Sequence, residues 1–115
     1  MVWQKAVALV IDVYSITKGF PHDEIYGLTN QMRRSAVSVP SNIAEGQGRA
    51  TTGEFIQFLC HARGSLFELE TQIVIAKAIG YIAPEIEGRV TTQITEVARV
   101  LNGLVTSLGV ASRKR

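Results

Sequence analysis

The sequence predicts an all-α fold, an up-and-down four-helix bundle, and three observations carry that prediction. Apolar residues recur in steps of three and four through four separate stretches. Glycine and proline punctuate the chain between those stretches. No run alternates apolar with polar residues as a half-buried strand would. The 115 residues, 46% of them apolar, suit a single domain over residues 1–115 with a sizeable core, and are too few for two.

The first helix is expected from about Trp3 to Lys18, where Gly19-Phe20-Pro21 stops it. Its apolar residues form two stripes, Trp3, Val7, Val10, Tyr14 and Ala6, Leu9, Val13, Ile16. A monomeric bundle needs one stripe per helix, so the second predicts burial on both sides. The second helix is expected directly after Pro21, with Asp23 and Glu24 at its positive end. Ile25, Leu28, Met32, Ala36, Val39 and Ile43 line its inner face, and Gly46-Gln47-Gly48 close it. Pro40 lies inside that pattern, where a missing N–H and a ring clash predict a kinked helix or a break into two.

Thr51 opens the third helix, with Glu54 three residues on to complete a cap. Phe55, Leu59, Ala62, Leu66, Leu69, Ile73 and Ala76 then alternate steps of four and three, a coiled-coil-like seam that ends at Gly80. Pro84 suits the first position of the fourth helix. Its inner face runs through Ile86, Val90, Val97, Leu101, Leu104 and Leu108, before a short basic tail at 112–115.

A mean hydropathy of +0.15 is high for a chain this small, yet no apolar run approaches the ~20 residues a membrane span needs. The N-terminal residues lack the layout of a signal peptide, so a soluble cytoplasmic protein is expected. One cysteine excludes an internal disulfide framework, and with two histidines it leaves little for a metal. Arg113, Lys114 and Arg115 supply three of the twelve positive charges, leaving nine against ten acidic groups. The pI of 8.9 is therefore largely a property of the tail.

Enzyme motifs are nearly absent. A di-iron bundle needs Glu-x-x-His pairs, but Gly19 and Phe58 stand three residues before His22 and His61. Ser15-Ile16-Thr17-Lys18 matches a Ser-x-x-Lys pattern without its companion motifs. Neighbouring Cys60 and His61 point about 100° apart on a helix, which makes Cys60 a buried small hydrophobe and His61 a partly exposed side chain. Glu68 and Glu70 lie on different faces.

Gly46-Gln47-Gly48-Arg49, followed by Thr51 and Thr52, permits a phosphate cradle, but reads better as a turn between helices that needs glycine dihedrals. Arg33 and Arg34, with Ser38, Ser41 and Asn42 on the following turns, suit phosphate contacts along a nucleic acid. Pairing with Glu45, Glu68 or Glu70 across the bundle, or at an interface, is the other reading. The basic tail adds nonspecific phosphate affinity.

The stretch FPHDEIYGLTNQMRRSAVSVPSNIAEG at 20–46 carries a family resemblance. So do Glu54-Phe55, Phe58-Leu59, Gly64-Ser65-Leu66, Glu68-Leu69-Glu70-Thr71-Gln72 and Gly80-Tyr81. Together they resemble the bacterial four-helix bundle family named after the 23S ribosomal RNA intervening-sequence protein. The resemblance implies a closed, left-handed bundle that assembles as a ring-like homopentamer, with no established reaction, cofactor or metal. It also implies similarity in fold to the accessory variability protein of diversity-generating retroelements, a basic pentamer that binds nucleic acid. This chain departs from that relative in being nearly neutral outside its tail.

Glu24, Tyr26, Gln31, Ser41, Asn42 and Glu45 fall on the family signature and are expected to form a shared surface, either a subunit contact or a ligand groove. The expected protein is a non-enzymatic homo-oligomer that binds RNA or a nucleic-acid-processing protein. Arg33, Arg34, Arg49, Arg113, Lys114 and Arg115 are its phosphate contacts. The alternative is a protein scaffold that binds no nucleic acid.

Overall fold

The computed structural model describes residues 1–113, with side chains as far as residue 110. Four helices fill it: α1 (Val2–Thr17), α2 (Leu28–Gln47), α3 (Thr52–Ala78) and α4 (Pro84–Arg113). Backbones of sequence neighbours pack together, and α1 also packs on α4, while the diagonal pairs stay apart. That is the pattern of an up-and-down bundle, here 52 × 24 × 19 Å.

Each helix buries one stripe. Ala6, Leu9 and Val13 on α1 meet Met32, Ala36, Val39 and Ile43 on α2, all without exposure. The α3 seam is buried from Leu59 to Ala76, and only Phe55 remains partly open. On α4, Ile94 joins Val90, Val97 and Leu101, a core position the expected stripe omits. Fully burying each of the Leu, Ile, Val and Met side chains among these is worth about 1.5–3 kcal/mol, so the four stripes together dominate stability.

Polar bonds cross every adjacent helix pair and hold the helices in register. Arg33 Nε donates to Thr17 Oγ1 at 2.8 Å between α2 and α1, and the Ser38 and Ser65 hydroxyls meet at 2.8 Å between α2 and α3. Arg63 Nη1 donates to Asn102 Oδ1 at 2.8 Å between α3 and α4. Gln93 Nε2 donates to Asp12 Oδ2 at 2.8 Å, and Lys5 pairs with Glu96, between α4 and α1.

The second helix begins later than expected. His22–Glu24 form a single 3-10 turn, and α2 starts only at Leu28, behind Gly27. The Glu24 carboxylate accepts the Leu28 amide at 3.1 Å, so the acidic residue serves the helix from outside it. Ile25 therefore escapes the helical period and is 45% exposed rather than core. α2 passes through the buried Pro40 as one helix, which settles the choice against a break. At the other end, α4 includes residues 112 and 113, so those two belong to the helix and not to a tail.

The remaining termini follow their sequence signals. Thr51 Oγ1 accepts the Glu54 amide at 3.1 Å. Gly80, at φ +86°, ends α3 in a Schellman turn in which the Tyr81 amide bonds the Ala76 carbonyl at 2.8 Å and the Gly80 amide bonds Lys77 at 3.0 Å. Gly46 has another role than the glycine dihedrals expected of it, since no other glycine has positive φ. A Cβ there would stand 2.9 Å from Phe55 Cδ1 and from Phe58 Cβ, so Gly46 lets α2 and α3 approach. Gly64, mid-helix on α3, has open space around the same position.

These two glycines predict opposite outcomes. Gly46→Ala should destabilise by about 1–3 kcal/mol through overpacking, whereas Gly64→Ala should stabilise by about 0.5–1 kcal/mol through helix propensity. Urea unfolding followed by circular dichroism checks both, and a stable Gly46→Ala would refute the close-approach account.

Candidate functional site

The 3-10 turn brings the end of α1 and the first turns of α2 together around a surface groove of about 520 Å³. Tyr14, Ile25 and Val37 supply its apolar wall, Thr29, Asn30 and Ser38 its neutral polar groups, and Arg33 and Arg34 its charge. A smaller hollow beside it adds Lys18 and His22. No acidic side chain lines either space.

The two arginines behave differently. Arg33 is half-buried, with its guanidinium carbon 4.6 Å from the Tyr14 ring centroid and its Nε on Thr17. Thr17 Oγ1 in turn donates to the Val13 carbonyl at 2.8 Å, so Arg33 is tied into α1. Arg34 is exposed and makes no hydrogen bond or ion pair with any described residue. Neither arginine pairs with Glu45, Glu68 or Glu70: Arg33 is held by Tyr14 and Thr17 of α1, and Glu45 is taken by Arg49.

The other expected phosphate contacts lie elsewhere. Arg49 follows the C-terminus of α2, roughly 20 Å along the helix from Arg34. It bonds Glu45 Oε1 at 2.6 Å and lies 4.6 Å over the Phe58 ring. Arg113 closes α4, and Lys114 and Arg115 lie outside the described residues. A phosphate cradle at 46–52 is also excluded, since Gly46 is buried against phenylalanines and Thr51 Oγ1 lies 3.1 Å from the Glu54 carboxylate.

The signature residues divide rather than form one surface. Tyr26, Gln31 and Ser41 are exposed. Asn42 Nδ2 bonds the Ser38 carbonyl and hydroxyl at 2.8 and 2.9 Å within the α2–α3 seam. Glu45 holds Arg49, and Glu24 is structural. Besides capping α2, Glu24 accepts the Tyr81 hydroxyl at 2.7 Å, which joins the two inter-helix turns at one end of the bundle. The Leu28 amide and then the Tyr81 hydroxyl hold the Glu24 carboxyl below its usual range. Its carboxylate, with burial and the charge of Asp23, pushes the Tyr81 hydroxyl up.

Neighbouring Cys60 and His61 meet different partners. Cys60 is half-buried rather than buried, with Arg63 Nη2 3.7 Å from its sulfur, and His61 is exposed with its ring centroid 5.9 Å from that of Phe58. Among the described residues no three His, Cys, Asp or Glu side chains gather as metal ligands, and no helix is long and apolar enough to cross a membrane.

A second groove, of about 430 Å³, went unmarked in the sequence. Glu70, Thr71 and Val74 of α3 and Glu87, Gly88 and Thr91 of α4 line it. Phe67 and Val74, one heptad apart and half exposed, were the available signal: they start a second apolar stripe on α3.

Comparison with known proteins places this architecture. The family model described as 23S rRNA-intervening sequence protein matches residues 1–103. A crystal structure of a protein of unknown function from the S23 ribosomal protein family of Bacteroides thetaiotaomicron superposes with a TM-score of 0.83 at 20% identity. The match covers 91% of this chain and 98% of that one. No curated protein matches.

The Glu24 clasp makes stability pH-dependent on the acid side. A carboxylate held below its usual pKa stabilises the fold above the usual carboxylate range, and that contribution disappears as pH falls through the depressed value. Glu24→Gln and Tyr81→Phe should each lower the melting temperature at pH 7, and Glu24→Gln should flatten the slope between about pH 5 and 3. Calorimetric melts across that range check it. An unchanged slope would mean that other carboxylates govern acid unfolding.

Proposed function

The chain belongs to the 23S rRNA-intervening sequence protein family, and from that premise we propose that it is a non-enzymatic assembly unit. Its working form is a homo-oligomer, the ring-like pentamer of left-handed bundles that the family resemblance implies. The observation that supports this is the second stripe of α1. The core is complete with Ala6, Leu9 and Val13, yet Trp3 and Tyr14 remain 43% and 40% exposed, with Ile11 at 64% on the same helix. Tyr14 already stacks on Arg33, but much of that surface is left over from the monomer's own packing, and exposed apolar surface of this kind marks an interaction site. A bend at Pro40 belongs to the same reading, since it lets α2 follow a curved neighbour. The lone cysteine fits a cytoplasmic setting.

RNA binding is the second reading, favoured by one placement. The α2–α3 turn that carries Arg49 and the end of α4 at Arg113 share one end of the bundle, so an oligomer of parallel copies gathers these charges on a rim. Sequence-independent phosphate contact there needs no base-stacking platform. The body of the chain, nearly neutral, favours the scaffold over this reading.

Absolute mass and the 260/280 nm absorbance ratio, measured on protein purified without nuclease, test both readings. A multimer free of nucleic acid is expected. A monomer would overturn the assembly reading, and a multimer that releases nucleic acid only in high salt would promote RNA binding over the plain scaffold.

A further inference from the structure

We infer that the basic α1–α2 groove of one copy receives the acidic α3–α4 face of a second copy, forming a head-to-tail contact between unlike surfaces. This rests on the assembly reading above and specifies its interface.

Three observations point the same way. The charges are complementary: Arg33 and Arg34 line the first groove without an acidic neighbour, and Glu70 and Glu87 line the second without a basic one among its lining residues. Lys77 approaches Glu87 only at 3.9 Å, and Glu70, like Arg34, makes no hydrogen bond or ion pair with a described residue. Both surfaces also carry apolar groups left over from the core. Ile25 and Val37 are 45% and 39% exposed on one side, and Phe67 and Val74 are 50% and 54% exposed on the other. Mixed apolar and charged surfaces of this kind give both affinity and choice of partner.

Position along the bundle is the third. The Tyr81–Glu24 bond sets the α1–α2 turn beside the α3–α4 turn. At 1.5 Å per residue, Arg34 lies about 9 Å below the start of α2, Glu87 about 5 Å below the start of α4, and Glu70 about 12 Å from the end of α3. The two surfaces thus occupy the same height on opposite sides of the bundle. Two copies pointing in the same direction bring arginine to glutamate without sliding. Gly88 adds no side chain to the acidic face, which is open around it.

A charge swap tests this. Arg34→Glu and Glu70→Arg change half-exposed or exposed groups without intramolecular partners, so circular dichroism and melting temperature should stay near those of the parent. Each single variant should weaken association roughly tenfold or more, read by sedimentation or light scattering at physiological salt. The double variant, which restores opposite charges across the contact, should recover the parent mass. If the parent is a monomer, the assembly reading itself fails. If the parent is an oligomer that both single variants leave intact, or that the double variant does not restore, this interface is wrong while the assembly stands. Loss of bound nucleic acid from Arg34→Glu with an intact oligomer would likewise overturn it and assign the groove to RNA.

Discussion

A four-helix bundle buries one stripe of each helix, and that limit sorts every apolar residue of this chain into core or surplus. Once Leu9, Met32, Ile43, Leu66 and Leu101 and their neighbours fill the interior, no space remains for Trp3, Tyr14, Phe67 or Val74. Their exposure is therefore no defect of packing. It follows from a sequence richer in apolar residues than one bundle can absorb. Dispersion and hydrophobic burial reward contact wherever it is found, so surplus residues arranged in stripes favour a partner surface, less what association costs in lost freedom.

What was legible in the sequence follows from the same limit. Stripes that repeat every three or four residues, such as Leu59 to Ala76, could be read directly, because burial and helical period coincide there. Caps were legible too, since Thr51 and Gly80 act through their immediate neighbours. The start of α2 was not, because Glu24 caps it across an intervening turn and also reaches Tyr81, fifty-seven residues away. The role of Gly46 was equally hidden: a dihedral requirement and a packing requirement leave the same letter in the sequence, and only the nearness of Phe55 and Phe58 distinguishes them.

The arginines show how neighbours assign a charge its work. Arg33 and Arg34 are adjacent and chemically identical, yet one is held by Thr17 and the Tyr14 ring while the other is open to solvent. Exposed charge costs little to leave unpaired and contributes little when paired in water. Its value rises when a partner surface excludes solvent around it. A basic groove and an acidic groove on one small, nearly neutral chain thus carry more meaning for association than for stability. They do not alter the fold, and in the proposed contact they would select which surfaces meet.

The geometry of such a meeting determines what is built. A contact between two unlike faces cannot close on itself as a two-fold dimer, because one copy is left with an unused acidic face and the other with an unused basic face. Copies added in the same direction must continue as a filament or curve until the last meets the first. Which occurs depends on the angle between the two faces, and that angle is set by how the four helices pack rather than by any single salt bridge. The bonds that cross each adjacent helix pair, from Arg33–Thr17 to Gln93–Asp12, hold the helices in register and so keep that angle constant. Under the contact proposed above, the core and its polar cross-links would therefore do more than stabilise a monomer: they would set the wedge between the two faces and with it the number of copies in a closed ring.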